Sequence, residues 1–482
     1  MCVLFYFCIF TLVNEQVKDI TEAIQSLQSD MQLMRKTIDS QHRQICQQVR
    51  SIEKLSKENK ELRKRLSKYE DCPKDSSNSS VPPSKESIKS EVKRRTNSLR
   101  SKSDKLIGGQ VGHLGYCRET VDVPDEIIDQ HSDYCKECGA ILSESEKMLE
   151  YSIQEIDIPV IRPVVKEHRY YARVCKCGCR NRSYEQRKRG GSRIVFGKSV
   201  QALVVYYNIV QCIPYERLQS MLKSVYGIEM SQGTISNIIQ VAKKKAEPVV
   251  AMIKDFISKS PVVGFDESGC YCNKRLDWSW IAQTTYYTLV FRASGRGGKV
   301  LEEMFGDALS NMTAVTDRHS AYFALNFLGH QICLAHILRE LKYLSEAETG
   351  QQWSKELENL IKEAMKLRNE QPEVSIDTSP WLERLDKILQ KNIDQLNDDF
   401  RRLKNGIIKC RDYIFRFLEN PAIPPDNNAS ERGFRKLKVK QKISGTFRSD
   451  RGADAYFALH SVMDTAHKNR QPELQAILAI LA

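Results

Sequence analysis

Pro261-Val-Val-Gly-Phe-Asp266 and Met312-Thr-Ala-Val-Thr-Asp317 are two short apolar runs, and each ends on an aspartate. Runs of this length and composition predict buried β-strands. We therefore expect each aspartate to stand at the end of a strand. An isolated aspartate after a strand is usually a turn residue, so this pair predicts chemistry only if a further acid joins it.

The segments around these runs predict the order of strands and helices. Residues 278–284 and 286–292 are rich in β-forming side chains and predict a hairpin. Residues 298–308 predict a helix, and residues 331–334 predict a short last strand. Three antiparallel strands, then helix, strand, helix and strand, is the order of a ribonuclease-H-like α/β fold. In that order the first and fourth strands are neighbours, so the two aspartates converge.

A third acid, Glu431, lies in Asp426-Asn-Asn-Ala-Ser-Glu431-Arg-Gly-Phe-Arg435, which predicts a helix start. Carboxylates from two strand ends and one helix can hold two divalent cations, Mg²⁺ or Mn²⁺, which can drive in-line attack on a phosphodiester. Two nearby acids have structural interpretations. Asp277 follows a turn, and Glu267 points to the opposite face of its strand from Asp266.

Basic residues follow Glu431 closely, and cations grouped beside one acid suit a phosphate backbone. The DNA-contacting residues expected here are Arg432, Arg435, Lys436, Lys438, Lys440 and Lys442. Ahead of them, residues 341–419 carry charged helical sequence without a strand pattern, and we interpret them as an insertion into the catalytic domain.

The 482 residues allow about two or three domains, and an apolar content of 41% allows a sizeable core. The net charge of +13 favours a polyanionic partner. Residues 1–16 begin with an apolar run that is too short to span a bilayer and lacks the basic region and cleavage site of a signal peptide. We interpret them as a leader outside the fold or a mis-assigned start, with a membrane tether less favoured.

Residues 17–71 carry a heptad pattern that predicts a coiled coil. Thirteen of the sixteen a and d positions between Val17 and Tyr69 are apolar. Isoleucine at half of the a positions, leucine at several d positions and Asn59 at an a position favour a parallel dimer. The alternative is a long helix packed on its own protein, but no other segment offers a matching seam. We therefore expect a homodimer or a higher oligomer.

Residues 116–190 contain two cysteine turns that predict a structural Zn²⁺ site. The first is Cys135-Lys-Glu-Cys138-Gly139 and the second is Cys175-Lys-Cys177-Gly178-Cys179. A β-rich stretch over residues 151–174 would join them into a zinc ribbon. Cys135, Cys138 and Cys175 are the firmer ligands. Cys177 is favoured as the fourth because a glycine follows it, and Cys179 is the alternative.

Two further segments have a less specific pattern. Residues 72–115 are polar and then basic, and predict a disordered linker that could lie along phosphates. Residues 191–258 predict helices with helix-turn-helix-like spacing, in which Ser231 caps the second helix. Many helical hairpins share this spacing, so it is weak evidence for reading DNA.

As a set, the motifs resemble the transposases of the insertion-sequence-66 family. The matching segments are 108–115, the zinc-binding cysteines, 264–268, 315–322, 333–336, 426–432 and 445–453. The resemblance implies that Asp266, Asp317 and Glu431 form a metal-binding Asp-Asp-Glu catalytic triad. It also implies a zinc-binding domain and a leucine-zipper-like N-terminal helix. The chain departs from the family in its apolar start, its irregular Cys-x-Cys pairs and Val111, where the family commonly has proline.

The predicted architecture is therefore a multidomain α/β protein. A ribonuclease-H-like core, residues 259–340 and 420–465, carries the helical insertion and ends in a helical tail, residues 466–482. The coiled coil, the zinc-ribbon-like domain and the helix-turn-helix-like region precede it. The expected function is cleavage of DNA at the ends of a mobile element and strand transfer into target DNA. A nuclease or resolvase without strand transfer and a non-catalytic, zinc-containing DNA-binding regulator are the alternatives.

Expected partners are the element's terminal repeats, target DNA and accessory proteins encoded by the element, with no membrane partner. The expected location is the bacterial cytoplasm, at the nucleoid.

Overall fold

The computed structural model describes residues 2–70, 112, 119–142, 147–182, 194–347, 352–393 and 395–482. In the first of these ranges, side chains are described at residues 18, 21, 22 and 24–59. The chain divides into two compact units, Met1–Lys74 and Asp75–Ala482. The linker predicted over residues 72–115 lies outside the described residues, except for Gly112.

The first unit contains one helix, α1 (Cys2–Glu70), which includes both the apolar start and the heptad segment. The apolar heptad side chains described here are solvent-exposed in the single chain: Ile24, Leu27, Met31, Met34, Ile38, Ile45, Ile52 and Leu55. These side chains form an apolar stripe along one face of α1, and a coiled coil would bury such a stripe against a second helix.

The cysteine-containing segment has little regular structure. Among its described residues, β1 (Ala172–Val174) and β2 (Arg180–Arg182) pair in antiparallel register, and Tyr134 and Ile141 form an isolated antiparallel bridge. Residues 151–171 are not in a strand, so the prediction of a β-rich stretch there is wrong apart from β1. The alternating apolar side chains of this stretch are largely exposed, and an extended segment without a neighbouring strand has no ladder of hydrogen bonds.

A helical layer follows, and it packs into the same hydrophobic core as the central sheet. Its elements are α2 (Lys198–Val205), a π-helical turn (Tyr206–Val210), α3 (Tyr215–Tyr226) and α4 (Gln232–Ser258). The predicted cap is confirmed, because the Ser231 hydroxyl accepts a hydrogen bond from the Thr234 N–H at 3.1 Å.

The central sheet has five strands in the order β5-β4-β3-β6-β7. β3, β4 and β5 are antiparallel, whereas β6 and β7 run parallel to β3. The predicted hairpin, the predicted helix and the predicted adjacency of the first and fourth strands are all observed. The elements are β3 (Val262–Cys272), β4 (Arg275–Gln283), β5 (Thr288–Ala293), α5 (Lys299–Phe305), a 3₁₀ turn (Gly306–Asn311), β6 (Thr313–Thr316), α6 (Ser320–Phe323) and β7 (Gly329–Ile332).

Helices occupy the region interpreted as an insertion. They are α7 (Leu334–Ala347), α8 (Gln352–Glu370), α9 (Ser379–Gln390), α10 (Asp398–Lys409), a 3₁₀ turn (Arg411–Tyr413) and α11 (Arg416–Glu419). The buried Gln331 side chain of β7 joins this region to the sheet. It donates to the Ile414 carbonyl at 3.0 Å and accepts from the Phe417 N–H at 2.9 Å.

Three helices complete the fold: α12 (Asn428–Ser444), α13 (Asp450–Lys468) and α14 (Glu473–Leu481). α13 lies against β5, where the Val290 N–H donates to the Ser461 hydroxyl at 2.8 Å. α14 buries Ile477 and Leu481 in the core. Among the described residues, no helix combines the length and apolar content needed to cross a membrane.

Candidate active site

Asp266 lies in the middle of β3, so the prediction that its strand ends there is wrong. The antiparallel ladder with β4 continues to Cys272. The polar residues after Asp266 have low strand propensity, but pairing with β4 keeps them in the strand. On its other edge β3 pairs with β6 only over Val262–Gly264. Asp266 therefore stands just beyond the point where the neighbouring parallel strand stops.

Asp317 directly follows β6, as predicted. In the parallel register Gly264 is the partner of Val315, so continuing each chain by two residues places Asp266 beside Asp317. Neighbouring strands lie about 5 Å apart, which brings the two carboxylates to one edge of the sheet. A carboxylate oxygen of Asp317 accepts the N–H of His319 at 2.9 Å, which fixes the turn after the strand.

Glu431 lies in the first turn of α12, as predicted, and the turn is fastened to the sheet beside Asp266. The side-chain amide of Asn427 donates to the carbonyl of Phe265 at 2.6 Å, and its oxygen accepts from the Ser430 hydroxyl at 2.5 Å. Gly264 makes this approach possible, because a Cβ there would lie 2.7 Å from the Asn427 side-chain oxygen. A hydrogen bond across the sheet edge thus determines where Glu431 stands.

Asp266 is the electrostatic centre of this group. Burial raises its pKa well above the usual value, and the charges of Glu267, Asp317 and Glu431 raise it further. The backbone N–H of Glu267 acts in the opposite direction and donates to Asp266 at 2.9 Å. Without a compensating cation, the ionised form of Asp266 is therefore unfavourable in the fold.

Glu431 contacts two side chains of α7. Arg339 donates to it at 2.8 Å, and the His336 Nε2 atom lies 3.6 Å away. Ligand atoms of Cys333, His336 and Glu431 all lie within 4.8 Å of one another. Burial and the charge of Arg339 lower the pKa of His336, while Glu431 and Asp317 oppose that change. The structure therefore places His336 among the acids.

Comparison with known protein families shows which family this chain belongs to. A sequence profile described as Transposase IS66 family matches residues 193–455, more than half of the chain. The chain belongs to this family. Among curated proteins, none matches the chain significantly.

The matched segment of this IS66-family chain contains all three acids, the helical layer and the insertion. The family membership supports a transposase role, and therefore DNA as the partner and divalent metals as the class of cofactor.

Cys333 has the surroundings of a structural residue. Its sulfur accepts the Asn427 N–H at 3.2 Å and so helps to hold the start of α12. Burial raises the pKa of its thiol to about 12, which disfavours the thiolate that a metal would need.

The two other acids have structural partners, but Asp277 is not the turn residue that the sequence predicts, because it lies inside β4. Asp277 is buried and pairs with Arg292 at 2.5 Å. Glu267 faces α6, away from α12, and accepts hydrogen bonds from the Tyr322 hydroxyl and from Arg296. Asp426 accepts the Asn428 N–H at 3.0 Å and so braces the loop before α12.

The basic residues of α12 divide between its exposed and buried faces. Arg435, Lys438 and Lys442 are exposed, and with Glu431 they recur at helical spacing on one side of the helix. Arg432 is also exposed, and Lys436 is partly exposed and lies 3.8 Å from Glu473.

Lys440 differs from the other five basic residues, and its predicted DNA contact is wrong for this structure. It is buried and donates to the carbonyl of Asn208 at 3.2 Å. Its helical position turns it towards the core, and burial lowers its pKa to about 8.

Both cysteine turns have local geometry suited to a metal. Gly139 and Gly178 adopt positive φ, and each donates its N–H to the carbonyl of the first cysteine of its turn, at 3.0 and 2.8 Å. Backbone N–H groups of Cys138 and then Glu137 lower the pKa of Cys135. The Cys177 pKa is also lowered, first by the N–H of Cys179. Closure of the two turns on one Zn²⁺ stays a prediction.

Sequence reasoning did not find the groups that position the acids. Asn427, Arg339 and Arg296 reach partners that are far away in the chain. A polar residue immediately before a predicted helix indicates a cap, and this local signal does not indicate a tie to β3.

Proposed function

We propose that this chain is a DNA transposase that cleaves the ends of its element and joins them to target DNA. In this proposal Asp266, Asp317 and Glu431 hold two Mg²⁺ or Mn²⁺ ions on a ribonuclease-H-like core. The strand order supports the fold assignment. The observation that carries the proposal is the register that sets Asp266 beside Asp317, with Glu431 fastened to the same edge.

The three residues fit divalent cations by their chemistry. Carboxylate oxygens are the ligands that Mg²⁺ prefers. Burial and neighbouring negative charges raise the pKa of Asp266, and a bound cation would stabilise its ionised form. When bound, two such ions activate a water or a DNA 3′-hydroxyl and stabilise the leaving oxygen.

The protein's own side chains supply orientation. Asn427 and Ser430 hold the start of α12, so the Glu431 carboxylate is directed at the acids on the sheet. Arg339 donates to the Oε1 atom of Glu431 and offsets its charge, and the Oε2 atom would be the one to hold a metal. The exposed stripe of Arg435, Lys438 and Lys442 continues from Glu431 and suits a DNA backbone.

The remaining assignments form part of the same proposal. Cys135, Cys138, Cys175 and Cys177 bind one structural Zn²⁺, and the positive-φ glycine that follows Cys177, like the one that follows Cys138, favours Cys177 over Cys179. The exposed apolar stripe of α1 supports self-association through a parallel coiled coil. Accessory proteins of the element complete the expected set of partners.

Cleavage and joining of the DNA that flanks the gene test the proposed function. With Mg²⁺ the protein should nick a plasmid that carries this DNA, leave a 3′-hydroxyl, and join that end to a second duplex. Glu431→Gln should abolish both products and retain DNA binding, whereas Glu302→Gln, an exposed acid of α5, should leave both unchanged.

Each alternative function predicts a different product pattern. Nicking without joined products would indicate a nuclease or resolvase. Binding with no nicking by the unmodified protein would indicate a regulator. Unchanged cleavage by Glu431→Gln would refute the triad.

A further inference from the structure

Arg296 is held in one orientation from two sides. Its Nε atom donates to Glu267 at 2.7 Å, and its guanidinium carbon lies 5.0 Å from the ring centre of Trp278. The Glu267 side chain has no exposed surface, and the hydroxyl of Tyr322 also donates to it. A buried carboxylate needs its cation, so Arg296 is strongly retained.

The outer edge of the same guanidinium is available to a ligand. The side chain of Arg296 is 40% exposed. Within the described residues, its Nη atoms take part in no hydrogen bond, so their N–H groups form a free planar fork. Such a fork matches the geometry of a phosphate, and stacking on an aromatic ring orders it before binding.

The position of Arg296 links it to the active site. It lies in the glycine-rich loop Ser294-Gly-Arg296-Gly-Gly298 between β5 and α5. Its anchor, Glu267, is the sequence neighbour of Asp266 and contributes to the field on that carboxylate. His319, two residues after Asp317, lies 4.0 Å from the same anchor.

A second arginine in the chain provides an internal comparison. Arg384 of α9 also stacks on a tryptophan, Trp381, at 5.2 Å, and also pairs with a glutamate. Its partner, Glu363, is 54% exposed and accepts a hydrogen bond from an Nη atom of Arg384 at 2.7 Å. In Arg384 the glutamate therefore occupies the outer edge of the guanidinium, which is free in Arg296.

We propose that Arg296 is a preorganised binding residue for a DNA backbone phosphate, held by Glu267 and Trp278. This inference rests on the proposed function in that DNA is the ligand. It adds a contact outside the basic stripe of α12, from a loop on the other face of the sheet.

Salt dependence of DNA binding tests the contact. The probe is a 30-base-pair duplex from the flanking DNA, and its dissociation constant is measured without Mg²⁺ between 50 and 200 mM KCl. Arg296→Ala should lower the slope of log affinity against log salt by about 0.9, the value for one lost phosphate contact. Arg384→Ala should leave the slope unchanged.

A second pair of variants tests the preorganisation. Trp278→Leu removes the stacking surface without changing charge, so binding should weaken roughly two- to tenfold while the slope is retained. Trp381→Leu should have no effect on binding. An unchanged slope in Arg296→Ala, or equal losses in Arg296→Ala and Arg384→Ala, would overturn the inference.

The inference and the proposed function fail separately. Binding slopes are measured without catalysis, so a lowered slope in a protein that cleaves no DNA supports the phosphate contact and refutes the transposase. If the protein cleaves and joins DNA but its salt slope does not depend on Arg296, the transposase is supported and the phosphate contact is refuted.

Discussion

The fold disfavours the ionised form of Asp266, and the proposed metal chemistry requires that form. Its carboxylate is placed by a strand ladder in a partly buried position near three other acids, which raises its pKa. The folded protein therefore holds the Asp266 proton more tightly than the unfolded chain does. Its contribution to stability declines as pH rises through the raised pKa.

Asp266→Asn should therefore stabilise the metal-free protein at neutral pH. The asparagine oxygen can still accept the Glu267 N–H, while the unfavourable charge is removed. We expect the thermal midpoint to rise by roughly 2–4 °C, which about 1 kcal/mol gives in a domain of this size. The gain should vanish in acid, where Asp266 is protonated. A lower midpoint at pH 7.5 would contradict this account.

Lys440 gives a second test at the residue scale. Burial lowers its pKa to about 8, so the folded protein binds fewer protons than the unfolded chain between that value and 10.5. Its charge therefore destabilises the fold below about pH 8, and the penalty disappears as pH rises towards 10.5. Lys440→Met should raise the stability at pH 7 by about 2 kcal/mol, allowing for the lost hydrogen bond to Asn208.

The control for Lys440 is Lys438→Met on the exposed face of the same helix. Thermal unfolding at pH 7 and pH 10 measures both variants, and the advantage of Lys440→Met should be lost at pH 10. Equal effects of the two substitutions would show that the burial of Lys440 is not what matters.

At the scale of elements, the site depends on how α12 meets the sheet. The helix start approaches β3 closely enough for Asn427 and Ser430 to contact the backbone at Gly264. Further along, Gly433 lies where any Cβ would collide with Ile281 of β4. Two glycines on opposite sides of one interface therefore determine the depth of the Glu431 carboxylate.

Gly264→Ala should displace the start of α12 and with it Glu431. A Cβ at this position would lie 2.7 Å from Asn427 Oδ1 and 2.9 Å from Ser430 Oγ. We expect a loss of stability of about 1–3 kcal/mol, as for other overpacked sites, and a large loss of Mg²⁺-dependent nicking with DNA binding retained.

Gly269→Ala is the matched control in the same strand. Its Cβ would lie 3.3 Å from the end of the flexible Leu276 side chain, which can move. Nicking by Gly269→Ala should stay near that of the unmodified protein. Retained nicking in Gly264→Ala would contradict the role of this close approach.

The elements were predictable where their signals are local. The alternating hairpin of β4 and β5, the cap at Ser231 and the helix start at Glu431 each depend on a few neighbouring residues. The length of β3 was not predictable in this way, because its second half is a strand only through its ladder with β4. The tie between Asn427 and Phe265 spans 162 positions and has no local signature.

At the scale of the whole molecule, strand order was predictable and side-chain partners were not. The order of elements along the chain restricts the topology to few solutions, so Asp266 and Asp317 could be placed together in advance. The pairing of Glu431 with Arg339, and of Arg296 with Glu267, depends on packing between distant segments.

Self-association through α1 is the prediction that belongs to this scale. Ile38 and Ile45 occupy a positions of the heptad and are exposed in the single chain. Replacing both with lysine should convert the dimer to a monomer in light scattering coupled to size-exclusion chromatography. The matched control, Ser40→Lys with Gln47→Lys at c positions, should leave the mass unchanged. A monomeric unmodified protein would contradict the coiled coil.

Mn²⁺ binding to the whole protein on DNA is the measurement that tests the central claim most directly. Electron paramagnetic resonance counts bound Mn²⁺ on the complex with flanking DNA. The account predicts two bound ions per active site, with loss of binding in Asp266→Asn, Asp317→Asn and Glu431→Gln and no change in Glu302→Gln. Equal Mn²⁺ binding by the unmodified protein and the three triad variants would show that these carboxylates do not form a metal site.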